Sequence, residues 1–198
     1  MGGTTLGGFV LRVALWLAPA FAVWYAAAAV LTWPIALLTE LVGKLAFGDI
    51  VRDVEQHGHL ITIVSALKAT APATGPSSGV ISVELNALLY SFGFPMLATL
   101  TLAAREPRAP RTLLIGYVVL APFVTWGIVA EFLKHVVFDT PAPVAAQAGF
   151  GPAQRELIAF AYQFGVLILP SVAPAVYWVL THRRFLESLA GERFGAAR

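Results

Sequence analysis

Four long apolar runs constrain this chain more than any other feature of its sequence. They cover residues 9–31, 86–104, 112–138 and 155–181, and charged residues or Pro and Gly bound each of them. An α-helix needs about 20 apolar residues to cross roughly 30 Å of hydrocarbon. Because only 12% of the residues are Asp, Glu, Lys or Arg, the charges are too few to cover a water-exposed globule. The sequence therefore predicts a membrane all-α bundle of four transmembrane helices.

Five prolines lie inside these runs, at Pro19, Pro95, Pro122, Pro170 and Pro174. A transmembrane helix tolerates proline where neighbouring groups satisfy the freed carbonyl oxygens. We therefore expect kinks at these positions rather than breaks.

The placement of Lys and Arg predicts the orientation. Eight of the 13 Lys and Arg residues lie near the two termini or between the second and third runs. Since Lys and Arg concentrate on the cytoplasmic side of a membrane protein, both termini are predicted to be cytoplasmic. Segments 40–86 and 139–156 then face outward.

The outward segment 40–86 is the least lipid-like part of the chain. Residues 34–47, preceded by Trp33, predict a short amphipathic helix at the membrane interface. Short runs rich in Val, Ile, Ser and Thr then fill 49–85, with a turn signal at His57-Gly58 and a Pro- and Gly-rich loop at 69–79. The sequence predicts a small antiparallel β insertion between transmembrane helices 1 and 2.

Glu131, Lys134 and His135 form the main candidate cluster, because spacings of three and four residues place them on one helical face. A carboxylate inside a membrane boundary is costly, so it is usually paired or faces a cavity. One interpretation is an acid–base or substrate-contacting site open to the outside. The other is a Glu131–Lys134 ion pair with Lys134 reaching the surface, which the base rate of structural ion pairs favours.

Other polar residues near the predicted helix ends complete this candidate cluster. Asn86 is expected to cap the second helix, and Tyr90 is placed as an interface aromatic residue. Gln163 is the strongly polar side chain of the fourth helix, where an interhelical hydrogen bond is the default expectation. Ser91 would need His135 as its base in an intramembrane hydrolase, and nothing in the sequence fixes that pairing.

Glu55, His57 and His59 are weak candidates for a metal site, because these residue types bind metals but their spacing matches no known motif. A solvated hairpin face is the favoured interpretation. We therefore predict no metal and no other cofactor, and the sequence has no basic stripe of the kind that binds nucleic acid.

Two further features concern partners and catalysis. Ala14, Ala18, Ala22 and Ala26 form a stripe that would let another helix approach closely, either within the bundle or from a partner subunit, a second copy included. The chain contains no cysteine, which excludes disulfides, thiolate metal sites and a cysteine nucleophile.

With these segments laid out, the chain resembles the exosortase H-associated membrane protein family. The stretches that carry the resemblance are VLRVALWLAPAFAVWYAAA (10–28), LTWPIALL (31–38), VEQHGHLITIVS (54–65), VELNALLYSFGFPMLATLTLAA (83–104), APFVTWGIVAEFLKHVVF (121–138) and ELIAFAYQFGVLILPSVAPAVYWVLTHRRFLE (156–187). Their order and spacing are more informative than any single stretch.

The resemblance implies a bacterial inner-membrane protein that works beside a protein-sorting enzyme, exosortase H. Exosortases are thought to process the C-terminal tails of exported proteins with a Cys, an Arg and a His, so a chain without Cys cannot be that enzyme. The expected partners are membrane lipid and an exosortase or its sorted substrate.

Three functions follow from the sequence, in order of preference. The first is a non-catalytic accessory protein that binds the sorting enzyme or its exported substrates, for which an unpaired sheet edge could accept an extended peptide. The second is an intramembrane enzyme that uses Glu131 and His135, with or without Ser91. The third is a small transporter or channel subunit, which would need polar residues through the full depth of the bundle.

Overall fold

The structure, a computed structural model, describes residues 5–68 and 80–195, so the predicted loop at 69–79 lies outside the described residues. The described part is mostly helical. Its α-helices are α1 (Leu6–Ala26), α2 (Ala28–Phe47), α3 (Leu88–Ser91), α4 (Gly93–Ala103), α5 (Ala109–Lys134), α6 (Ala142–Gln147), α7 (Pro152–Gln163), α8 (Leu169–Thr181) and α9 (Arg183–Gly195). Two π-helical turns accompany them: the first π turn (His135–Asp139) follows α5, and the second π turn (Phe164–Ile168) joins α7 to α8.

Four helical stretches are long and apolar enough to cross a membrane: Leu6–Ala26, Ala28–Phe47, Ala109–Asp139 and Pro152–Thr181. Many large apolar side chains on them are exposed, among them Val23 and Val30. Contact with lipid explains such exposure in a chain with so few charges. The prediction of four apolar membrane helices is confirmed, but the set of helices differs from the predicted one.

The difference at the N-terminal end concerns α2. The sequence predicts a first helix over 9–31 and a separate interfacial helix over 34–47, whereas the structure has α1 up to Ala26 and one continuous helix from Ala28 to Phe47. The predicted interfacial helix began at Pro34, which lies inside α2, as transmembrane helices permit. The β insertion therefore follows the second candidate membrane helix in the chain, not the first.

The run predicted as a helix over 86–104 is divided into α3 and α4 and is shorter than the four candidate membrane helices. Pro95 supplies the physical reason, because a proline ring crowds the carbonyl of the residue four positions earlier, here Ser91. The α-helix ends at Ser91 and restarts at Gly93. By contrast, α1, α5 and α8 continue through Pro19, Pro122 and Pro174.

The described chain divides into two compact units. The first contains residues up to Ala27, 92–120 and those from Ser171 onward. Its core forms around Leu97, Leu120 and Trp178. Phe9 of α1 stacks on Trp178, with ring centroids 5.8 Å apart.

The second unit contains Ala28–Ser91 and Ala121–Pro170, and with them the three-stranded sheet. The strands β1 (Val51–His57), β2 (Leu60–Lys68) and β3 (Val80–Asn86) pair antiparallel in the order β1-β2-β3. Gly58 and His59 form the two-residue turn between β1 and β2, with Gly58 at φ 65°. Glycine at the first central position is typical of a type II′ hairpin turn. The predicted small antiparallel sheet and its turn are confirmed.

One face of this sheet is buried and the other is exposed. Ile61, Ile63 and Leu67 alternate along β2 on the buried face, as a half-buried strand requires. Helix α2 covers β1, since a Cβ added to Gly43 would lie 3.1 Å from the Val51 side chain. The sheet therefore has α2 packed against β1 and an outer edge along β3.

Candidate functional site

A chain of ionisable side chains in contact with one another lies in the second unit. The Tyr90 hydroxyl donates to Glu131 Oε2 at 2.6 Å, and Glu131 Oε1 is 3.8 Å from His135 Nε2. His135 Nδ1 contacts Asp139 Oδ2 at 2.6 Å, and the same oxygen accepts from Lys134 Nζ at 2.7 Å. The Lys134 ammonium also lies over the Tyr162 ring, 5.6 Å from its centroid. We name this group the Glu131 cluster: Tyr90, Glu131, Lys134, His135, Asp139 and Tyr162.

The Glu131 cluster runs from a shielded end to an exposed end. The exposed fraction of the side chain rises from 16% at Glu131 to 33% at His135 and 41% at Asp139. A shielded carboxylate needs partners to offset its lost hydration, and the Tyr90 hydroxyl is one of them. The other end reaches solvent or headgroups, so the cluster connects a shielded acid to the surface.

The first π turn gives the exposed end its shape. Pro141 follows it, and the proline ring crowds the carbonyl of Val137, four residues earlier. That carbonyl accepts a hydrogen bond from Arg155 Nη2 at 3.0 Å, and Thr140 Oγ1 donates to the Val136 carbonyl at 2.6 Å. π turns occur frequently at functional sites, and this one carries His135 and Asp139 of the Glu131 cluster.

The shielded end depends on close backbone packing around Tyr90. Asn86 Oδ1 accepts from the Leu88 amide at 3.0 Å and so fixes the chain as it enters α3, which carries Tyr90. The Tyr90 ring lies on Gly127 of α5, where an added Cβ would be 2.1 Å from the ring. Gly165 of the second π turn packs against Gly127 as well, since its Cβ would be 3.0 Å from the Gly127 Cα. Two glycines therefore make room for the tyrosine that holds Glu131.

The structure brings together Tyr90, Glu131, Lys134 and His135, four of the six predicted cluster residues. The contacts that define the cluster do not include Asn86. Its side chain accepts from the Leu88 amide at the start of α3, the helix that carries Tyr90. Gln163 is exposed at the end of α7 and lies outside the Glu131 cluster.

One structural expectation for these residues changes. The expected Glu131–Lys134 ion pair is wrong: Lys134 pairs with Asp139, and Glu131 pairs with His135 and Tyr90. Ser91 is buried in α3, and the contacts that define the Glu131 cluster do not include its hydroxyl.

Sequence reasoning missed Asp139, Tyr162, Gly127 and Gly165. Asp139 had a local signal, because it lies four residues after His135. The two glycines had none, since their role depends on which helices meet. Tyr162 is brought to Lys134 by tertiary packing alone.

The weak metal candidates do not assemble in the structure. Glu55 and His57 are exposed on β1, and His59 lies in the hairpin turn. Within residues 5–68 and 80–195, no group of three or more His, Asp or Glu side chains could hold a metal ion.

Another histidine, His182, is buried in the first unit. Its ring stacks on Trp178 with centroids 5.0 Å apart, and its Nδ1 lies 3.1 Å from the Trp178 carbonyl oxygen. Glu106 Oε2 is 4.0 Å from its Nε2. This histidine, which the sequence did not single out, packs in the core of its unit.

The side chains of the Glu131 cluster can transfer protons and bind polar groups. A carboxylate, an imidazole and a phenol in contact can hold or pass a proton, and the Asp139 end can bind a cationic group. Cysteine chemistry is excluded, because the sequence contains no cysteine.

Fold and site together define a class: a membrane protein with several apolar helices, a small sheet, and a shielded polar cluster on one of its membrane helices. The sequence matches the exosortase H-associated membrane protein family over residues 3–185 of its 198 residues. The chain therefore belongs to that family, as the resemblance predicted. No curated protein and no solved structure matches it.

Proposed function

We propose that this protein is a non-catalytic accessory subunit of an exosortase-type protein-sorting system in the bacterial inner membrane. It binds the sorting enzyme or the exported proteins that the enzyme processes. Membership of the family carries the proposal, because the family is described as membrane proteins associated with exosortase H.

The absence of cysteine from the sequence supports a role without catalysis. The resemblance implies that exosortases work with a cysteine nucleophile. A chain without a thiol needs a partner to supply that step, and an accessory subunit would have one.

The alanine stripe of α1 supports a partner helix. Ala14, Ala18, Ala22 and Ala26 are all exposed, so internal packing does not use them. Small residues on a membrane helix let a second backbone approach closely and gain van der Waals contacts. The stripe is therefore available to a transmembrane helix of the sorting enzyme.

Co-purification in mild detergent tests the proposal. The tagged protein is co-expressed with exosortase H from the same genome and with a tailed substrate, and an unrelated multi-pass membrane protein serves as the control bait. We expect recovery of the enzyme or substrate with this protein only. Ala18→Phe is expected to reduce recovery. Val23→Phe is its matched control, because Val23 is exposed and lies five residues from Ala18, on a different face of α1. If the protein purifies alone in every co-expression, the proposal is wrong.

The proposed orientation places both termini in the cytoplasm and the sheet outside. The chain has no cysteine, so single cysteines can be introduced without background. We expect an impermeant maleimide to label Glu55→Cys in spheroplasts and to label Arg108→Cys only after lysis. Labelling of both positions from the same side would contradict the layout.

The Glu131 cluster favours a second candidate function, an intramembrane enzyme. Its Glu131–His135 contact of 3.8 Å has the residue types of an acid–base pair. The test incubates the purified protein with a tailed substrate in the absence of exosortase. An enzyme would process the substrate and would lose activity in Glu131→Gln and His135→Gln but not in Glu55→Gln. The accessory role predicts no processing by any of these proteins.

A further inference from the structure

Along the outer edge of β3, backbone groups have no partner strand within residues 5–68 and 80–195. The Ala87 amide donates to the His59 carbonyl at 3.1 Å, and this pair is in register with Leu85–Ile61 and Val83–Ile63. In an antiparallel ladder the backbone groups of alternate residues point toward the partner strand and away from it. Leu85 and Val83 therefore bond to β2, whereas the backbone N–H and C=O groups of Ser82 and Glu84 point away.

Within the described part of the chain, no fourth strand pairs with these groups, because β3 ends the sheet order β1-β2-β3. The other outer strand, β1, packs against α2 through Val51 and Gly43. An exposed edge of this kind is a ready template for another extended chain.

The side chains beside the edge are acidic on the exposed face. Glu84 and Glu55 both pair in register with Thr62 of β2, one on each side, and both are exposed. Asp53 adds a third carboxylate one row further along, 3.7 Å from Lys44 Nζ. A strand added to β3 would therefore place its residue opposite Glu84 on a negatively charged face.

The opposite face of β3 is apolar. Val83 and Ile81 are half-buried and alternate with Ser82 and Glu84. A strand that pairs with β3 would turn every second side chain toward this apolar face.

We propose that the outer edge of β3 binds an extended peptide in which basic residues alternate with apolar residues. Strand addition gives the backbone hydrogen bonds, and the alternating side chains give specificity. This inference rests on the proposed function, because it identifies which part of the protein meets an exported polypeptide. A second copy of the chain is a poorer occupant, because pairing β3 with itself brings two acidic faces together.

Fluorescence anisotropy with the full-length protein in nanodiscs tests this inference. The probe is a fluorescein-labelled peptide, Thr-Lys-Val-Arg-Val-Thr, and its charge-reversed control carries Glu in place of Lys and Arg. We expect saturable binding of the basic peptide and at least tenfold weaker binding of the control. Glu84→Gln should weaken binding about twofold to fivefold, the range of a cross-strand charge pair. Glu55→Gln, on the far strand, is the matched variant and should have a smaller effect.

Backbone pairing has its own test, which leaves the protein unchanged. Two N-methylated versions of the basic peptide carry the methyl groups on alternate residues, so that each blocks one edge of the extended peptide. Strand addition predicts that one version binds and the other does not. Equal binding of both versions would overturn the proposal, as would equal binding of the basic and charge-reversed peptides.

Three outcomes separate this inference from the proposed function. Co-purification with the enzyme but no peptide binding would overturn this inference alone. Peptide binding without any co-purification would support the β3 edge and contradict the association with the enzyme and substrate. A dimer in light scattering that dissociates in Ser82→Pro, together with no peptide binding, would assign the edge to a second copy and overturn the proposal.

Discussion

The contact between Gly127 and the Tyr90 ring gives the sharpest test of the Glu131 cluster. In Gly127→Ala the new Cβ would lie 2.1 Å from Tyr90 Cδ1 and 2.6 Å from Cε1, so the ring must move. Overpacking of this kind costs about 1–3 kcal/mol. Movement of the ring also breaks the 2.6 Å hydrogen bond to Glu131, and a bond to a charged group contributes about 1.5–3 kcal/mol. A gain of about 0.5–1 kcal/mol from replacing a helical glycine opposes these losses.

The expected net loss is about 1.5–5.5 kcal/mol, and its origin can be separated with two Tyr90 backgrounds. In Tyr90→Phe the ring remains and the hydrogen bond is already gone, so Gly127→Ala should cost less, about 0–2.5 kcal/mol after the same helical gain. In Tyr90→Ala the ring is absent, so the same change should cost nothing or stabilise by up to about 1 kcal/mol.

The assay is reversible unfolding in mixed micelles of mild detergent and dodecyl sulfate, followed by tryptophan fluorescence. Gly7→Ala is the control, since nothing lies within 4 Å of its added Cβ in α1. It should be neutral or slightly stabilising. An equal cost of Gly127→Ala in the wild type and in Tyr90→Ala would refute the packing argument.

Three further changes test other parts of the fold by the same unfolding measurement. Gly116→Ala should cost about 1–3 kcal/mol, because its Cβ would be 2.4 Å from the Leu97 side chain; a neutral result would contradict this close approach. Gly58→Ala should cost about 1–2 kcal/mol, because a non-glycine residue is strained at φ 65°. Gly149→Ala, also at positive φ, should have a similar cost. A stabilising effect of either variant would count against the turn geometry. Gln147→Ala should cost about 1–3 kcal/mol, because the Gln147 side-chain amide both accepts from the Lys68 backbone amide and donates to the Lys68 carbonyl. Gln147→Glu keeps only the acceptor and should recover part of that loss. No difference between the two variants would argue against the paired contact.

Local sequence signals were sufficient for the parts of the fold that depend on local physics. The apolar runs predicted membrane helices because the length needed to cross hydrocarbon is set by the rise of one helix. The short runs rich in Val, Ile, Ser and Thr predicted strands because β-branched side chains fit a pleated, half-buried surface. The turn at Gly58 followed from a residue type that accepts a positive φ.

Proline marked the limit of those local signals. The predicted interfacial helix began at Pro34, but Pro34 lies inside α2, whereas Pro95 follows an interruption between α3 and α4. A proline removes one backbone donor in either place. Whether the helix continues depends on what surrounds the freed carbonyl, and the sequence of one segment does not contain that information.

In the Glu131 cluster, too, local spacing predicted one part of the arrangement and tertiary packing determined the other. The spacing of Glu131, Lys134 and His135 predicted a shared helical face, but not the partner of each side chain. The sequence favoured a Glu131–Lys134 pair, whereas tertiary packing gave Glu131 the hydroxyl of Tyr90, which is 41 residues away, and gave Lys134 the carboxylate of Asp139.

The sequence by itself determined that this chain is a membrane protein with a small sheet, and its stretches already carried the family resemblance. Only the tertiary structure decided which polar groups meet, because that depends on the glycines at 127 and 165, where two backbones and a tyrosine ring come within contact distance. Periodicity describes one segment at a time, whereas a close approach is a property of the two segments that make it.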